Sequence, residues 1–345
     1  MKFFQIISLT LLFIACDNSS DSDDFTITPN NNWEIGSLAD ADIDSVLIDS
    51  LKAICLARPK GEIRSLLITR HGKLVSENYF HGEYKDLKQD LRSAGKTIMG
   101  ILFGIAVDKA YFPNEDGKLL SYFSYSSISN LDSRKQSITL KHLLTMTDGL
   151  ECSTCTELMY DTSDPIKYYL DRPMATVPGT FWTYNEANVY IIYQLIERKT
   201  GYELKDWQNQ FLYGPLNIRN TNDGRINHIK PRDMAQIGQL ILNKGKWNGK
   251  QIISENWINR SLERSAFPSA NTDYGYYWWI NDFDYGNEQT ITTYSAQGHG
   301  GQMIFVVPQL DMVIVFTGNA ATTENLVSEK IIFVRDFILP SVNTF

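Results

Sequence analysis

Apolar and polar positions follow one pattern at the two ends of this chain and another in its middle. Residues 302–307 and 312–316 are almost wholly apolar. They are joined through Pro308, Gln309, Leu310 and Asp311, which predicts a hairpin of two buried strands. Residues 276–280 and 290–294 read as two further strands, and residues 65–69 and 73–80 flank His71 and Gly72 as another hairpin. In the middle the period changes. Ile98, Ile101, Leu102, Ile105 and Ala106 recur at helical spacing, with the next proline only at Pro113. Residues 140–146, 165–169, 187–199 and 231–242 also read as helices, with Gly201 and Gly245 as stops. Residues 43–57 and 324–338 add one helix near each end. Strands at both ends around a helical middle predict an α/β (α+β) fold. One antiparallel sheet flanked by helices is expected from about 36–90 and 246–345, with a mostly helical lobe, about 91–245, inserted into it.

Composition narrows the class. The 345 residues are 43% hydrophobic, ample for a large core. A net charge of -8 with no basic block argues against a nucleic-acid partner. Residues 1–16 have the form of a targeting leader: Lys2, an apolar run over 3–14 that is short for a membrane span, then Ala15 and Cys16. Phe13, Ile14, Ala15 and Cys16 resemble the lipobox of bacterial lipoproteins, which implies lipidation of Cys16 and a membrane anchor in the cell envelope. An ordinary cleaved export signal is the alternative. Residues 17–35, acidic and then rich in Asn, Thr and Pro, are expected to be a flexible tether, leaving 36–345 as the working domain. Cys152 and Cys155 form either a small disulfide or two free thiols, and Cys55 reads as a buried small hydrophobe. No metal or other cofactor is expected.

The candidate chemistry lies in three separated segments. Ser93 and Lys96 stand one helical turn apart, which sets an amine beside a hydroxyl that is a poor nucleophile until its proton is removed. Tyr184 lies in a loop that runs from Pro178, Gly179 and Thr180 straight into a helix. Either the phenol or the amine is suited to take the serine proton. Gly298, His299, Gly300 and Gly301 open the strand that begins at Gln302. The glycines allow close backbone approach, and the N–H groups of Gln302 and Ser93 would make a two-donor oxyanion site. His299 is as readily a plain turn residue as a functional one.

Taken together and in this order, Ser93-x-x-Lys96, the Tyr184 loop and His299-Gly300-Gly301 resemble the signature elements of the class C β-lactamase-related serine hydrolases. That family includes class C β-lactamases, D-alanyl-D-alanine carboxypeptidases, family VIII carboxylesterases and 6-aminohexanoate-dimer hydrolases. The resemblance covers roughly residues 36–340. It implies an acyl-enzyme on Ser93, assisted by Lys96 and Tyr184, with Tyr184 activating the water that releases the acyl group. Two positions depart from the lactamase pattern: Glu186 stands where asparagine is usual, with Asn188 close but out of register, and His299 replaces a lysine. Both departures favour an ester, amide or peptide substrate, small molecule or peptide, over a β-lactam. A non-catalytic binding or sensor lipoprotein is the competing expectation.

Overall fold

The computed structural model describes residues 33–152, 155–219, 227–286, 289–322 and 326–342. The leader, Cys16 and nearly all of the tether lie outside them. Eight strands make one antiparallel sheet: β1 (Ser65–Arg70), β2 (Lys73–Tyr79), β3 (Ala266–Ser269), β4 (Thr272–Tyr274), β5 (Trp279–Gly286), β6 (Gln289–Gly298), β7 (Gln302–Val307) and β8 (Met312–Thr317). Their spatial order is β2-β1-β8-β7-β6-β5-β4-β3, so the first hairpin docks on the last strand. Ser65 pairs with Thr317 and Arg70 with Met312. The sheet is therefore assembled from both ends of the chain, as the strand pattern predicts.

Both faces of its centre are covered, which explains the continuous apolar runs. Leu67, Ile304, Val306, Val313 and Val315 face one core, while Leu66, Ile68, Met303, Phe305, Ile314 and Phe316 face the other. The second core is closed by α1 (Ser45–Ala57) and by residues near the end of the chain such as Phe333 and Ile338. The first is built on α2 (Gly95–Asp108), a helix apolar nearly all round and hence buried. Around it stand α3 (Cys155–Tyr160), α4 (Glu186–Thr200) and α5 (Pro231–Leu242), and α6 (Leu326–Phe333) follows the sheet. Asn185 caps α4 by accepting from the Ala187 N–H at 2.9 Å, and Gly201 ends it at φ +76°.

One expected strand is corrected. Residues 276–280 do not form a strand of their own: 275–278 are a buried turn between β4 and β5, with Tyr277 at φ +61°. A turn usually shows polar residues because its backbone faces water. Here the protein itself satisfies that backbone. The Tyr276 N–H donates to the Ser261 carbonyl at 2.9 Å, the Tyr277 N–H to Leu144, and the Tyr277 carbonyl accepts from Thr97 Oγ1 at 2.6 Å. Strand 290–294 proves longer, reaching Gly298, and that extra length carries it to the turn that bears Ser93.

Candidate active site

Ser93 sits in a single tight turn, Arg92–Ala94, that leads directly into α2. Arg92 adopts φ +50°, a left-handed conformation that bends the chain sharply just before the serine. Two contacts hold it there: its N–H donates to Asp90 Oδ1 at 3.0 Å, and its Nε donates to the Ala320 carbonyl at 3.1 Å. Behind the turn, Gly298 has no room for a side chain. A Cβ there would lie 2.2 Å from the Leu91 carbonyl oxygen and 3.1 Å from the Ala94 nitrogen. The end of β6 is thus packed straight onto the turn that bears Ser93.

Gln302 pairs with Gly298, and between them the Gly301 N–H donates to the Gly298 carbonyl at 3.1 Å. Gly300 occupies the left-handed position of this turn at φ +75°. The Gln302 side chain is buried beneath, donating to the Gly318 carbonyl at 2.7 Å, which leaves only its main chain toward the turn of Ser93. His299 lies on the cavity wall, where Nε2–H donates to the Thr322 carbonyl.

Lys96 joins the pieces. Its Nζ donates to Ser93 Oγ at 2.9 Å and to Glu186 Oε1 at 2.8 Å, and it stands 5.0 Å from the centre of the Tyr184 ring. The lysine side chain is only 11% exposed, against 55% for Glu186. Tyr184 meets the amine through its ring face, and Trp279 stacks on the same ring at 6.5 Å. The Tyr184 loop is pinned by the neighbouring Thr183 N–H, which donates to the Met146 carbonyl at 2.9 Å.

Asn188 requires a correction. Its side chain turns into the core, donating to Asp148 Oδ2 at 2.6 Å and accepting from the Tyr169 hydroxyl at 2.8 Å. Burial pushes the Asp148 carboxyl above its usual range, and hydrogen bonds from Leu150, Asn188 and Asn185 work against that shift. This buried network anchors the start of α4 and so holds Tyr184 and Glu186 in place. Glu186 does reach the site, as the ion-pair partner of Lys96.

Ser93, Lys96, Glu186, Arg92 and His299, with residues 320–322, enclose a cavity of about 510 Å³. Two of its features were not legible in sequence. Arg92 looks like any surface arginine until its left-handed backbone is seen. Residues 320–322 arrive from the far end of the chain. The Cys152–Cys155 pair, left open between disulfide and thiols, is a disulfide at the base of α3. Cys55 is a buried free thiol whose pKa burial pushes up to about 12.

Comparisons with known proteins agree with this fold. The Beta-lactamase family model matches residues 64–225. A 6-aminohexanoate-dimer hydrolase of Paenarthrobacter ureafaciens is 24% identical over 298 residues, 73% of this chain and 71% of that protein. EstCE1, described as a hydrolase with promiscuous acyltransferase activity, superposes with a TM-score of 0.71 at 14% identity, covering 88% of this chain and all of that one. A class C β-lactamase mutant superposes at 0.66 and 13% identity, covering 85% and 96% of the two chains.

Proposed function

We propose, for a chain that fits the β-lactamase-related serine hydrolase family, that it hydrolyses an ester, amide or peptide bond through an acyl-enzyme on Ser93. One observation carries the reading: the 2.9 Å hydrogen bond between Lys96 Nζ and Ser93 Oγ at the mouth of a cavity. In the first step Ser93 Oγ bonds to the substrate carbonyl carbon and gives up its proton either to Lys96 in its neutral amine form or to Tyr184 as the phenolate. The carbonyl oxygen becomes an oxyanion held by the N–H groups of Ser93 and Gln302. As that intermediate collapses, the bond to the leaving group breaks and the proton is delivered to the departing atom. Water then attacks the acyl-enzyme with Tyr184 as base, the Oγ–carbon bond breaks, and the serine regains its proton.

The substrate side follows from charge. Glu186 brings a half-exposed carboxylate to the centre of the cavity, and His299 is committed to the Thr322 carbonyl. An anionic group on the substrate is poorly served there, which supports acyl groups that carry no negative charge over β-lactams. The named activities of the 6-aminohexanoate-dimer hydrolase and of EstCE1, hydrolysis and acyl transfer, support acyl-group chemistry at the site. The reading also extends to the leader: Cys16 is lipid-modified and holds the protein to the cell envelope, so a Cys16→Ala chain is expected to leave the membrane fraction.

A fluorophosphonate probe followed by peptide mapping tests the chemistry. Label on Ser93 at one equivalent per chain, absent from Ser93→Ala, is the expected result. A folded protein that takes up no label is a binding protein instead, with the Lys96–Glu186 ion pair as the feature that silences it.

A further inference from the structure

Beside the catalytic cavity lies a second one of about 620 Å³, and the two share Arg92, Lys96 and Glu186. Its long wall is one stripe of α4. Glu186, Val189, Tyr190, Tyr193 and Glu197 all line it, each three, four, seven or eleven residues from the first. Eleven helical steps place Glu197 roughly 16 Å along the axis from Glu186. Tyr160 of α3 closes the stripe from the side, edge-on to Tyr190 with ring centres 5.5 Å apart. Burial raises the pKa of Tyr160 and Tyr190, so both remain neutral phenols with electron-rich faces.

The charges are unevenly placed. At the catalytic end Lys96 is paired with Glu186, and Arg92 with Asp90 at 3.3 Å. At the far end Glu197 and Glu203 face a single Lys205, and among the described residues neither carboxylate has an ion-pair partner. Glu197 is held in place, its Oε1 accepting from the Leu204 N–H at 2.8 Å and its carboxylate from the Tyr193 hydroxyl. The cavity therefore runs from a neutralised catalytic end, past tyrosine rings, to an end with net negative charge.

We infer that this cavity seats one arm of the substrate, a chain ending in a cationic amine, with tyrosine faces along its length and Glu197 and Glu203 at its terminus. The inference rests on the acyl-enzyme reading for which bond is cut, but not for binding itself. An ammonium is attracted both to tyrosine faces and to carboxylates. The roughly 16 Å span fits about five residues of extended peptide, or an alkyl chain of similar reach.

Binding to Ser93→Ala, which cannot be acylated, tests the site apart from the chemistry. Calorimetry compares the N-methylamides of ω-aminododecanoic acid and of its neutral ω-hydroxy isostere. The amine is expected to bind about tenfold more tightly. That gap is expected to shrink as salt is raised and to close in Glu197→Gln/Glu203→Gln. Glutamine keeps the acceptor for Leu204, so helix packing survives the change. With the short ω-aminobutyryl amide and its hydroxy analogue no gap is expected. Equal affinity of the two long amides, a gap indifferent to salt, or a gap that persists in the double variant overturns the inference. Failure of the acyl-enzyme reading is seen separately, as wild-type protein that takes no fluorophosphonate.

Discussion

Gly298→Ala is the sharpest test of how the backbone sets up the proposed oxyanion site. The added methyl would fall 2.2 Å from the Leu91 carbonyl oxygen, where ordinary contact begins at 3.4 Å. Something must move by about 1.2 Å, and the atoms on either side are backbone: the turn bearing Ser93 and the strand end paired with Gln302. Neither can yield as a side chain would, so the separation of the two N–H donors changes. A misplacement of about 1 Å in a reacting constellation costs on the order of a hundredfold, or about 2.7 kcal/mol of transition-state stabilisation. The overpacking itself should cost about 1–3 kcal/mol of fold stability. The assay is kcat on p-nitrophenyl acetate, scaled to the folded fraction from circular dichroism, beside a denaturant titration. The expected result is a kcat lower by about a hundredfold with a modest change in KM. A folded Gly298→Ala protein that turns over within twofold of wild type refutes the reasoning, because the contact would then not govern the site.

Three further outcomes are expected. Lys96→Ala and Tyr184→Phe should each lower p-nitrophenyl ester turnover by at least about a hundredfold, and a near-normal rate in either removes that residue from the proton path. Glu186→Asn should gain some β-lactam acylation, read by nitrocefin colour change, and no gain would mean the carboxylate is not what excludes that substrate. Lys330 is wholly buried, and burial lowers its pKa from 10.5 to about 8 despite Glu329 at 2.9 Å. Between those values the unfolded chain binds the proton and the folded chain does not, so stability should rise with pH across that window. Relative to Lys330→Met the gain should approach about 3 kcal/mol by denaturant titration, and a flat difference from pH 7.5 to 10.5 would contradict it.

What was legible in sequence is what depends on near neighbours. The runs at Gln302–Val307 and Met312–Thr317 announce buried strands because every side chain on both faces is covered. Ser93 and Lys96 announce themselves because helical spacing alone makes them touch. The turn at 275–278 was hidden because α2 and the Leu144 and Ser261 carbonyls do for its backbone what water does elsewhere. Asn188 misleads for a related reason: two helical positions past Glu186 turn it from cleft to core, and its partner there is Asp148. Glu186 stood out by its departure from a pattern, yet its pairing with Lys96 needed α2 and α4 side by side. The loop at residues 320–322 leaves no local signal, since its role is to supply a carbonyl to Arg92 across 228 positions of sequence.

The pairing of β1 with β8 has a consequence for biosynthesis. Ser65 finds Thr317 only once the polypeptide between them has been made. At roughly 5–20 residues per second, that leaves the open side of the first hairpin without its neighbour for about 13–50 s. A nascent chain in that condition exposes an apolar edge that invites association with other chains, and its slow, long-range closure makes it a natural client of holding chaperones.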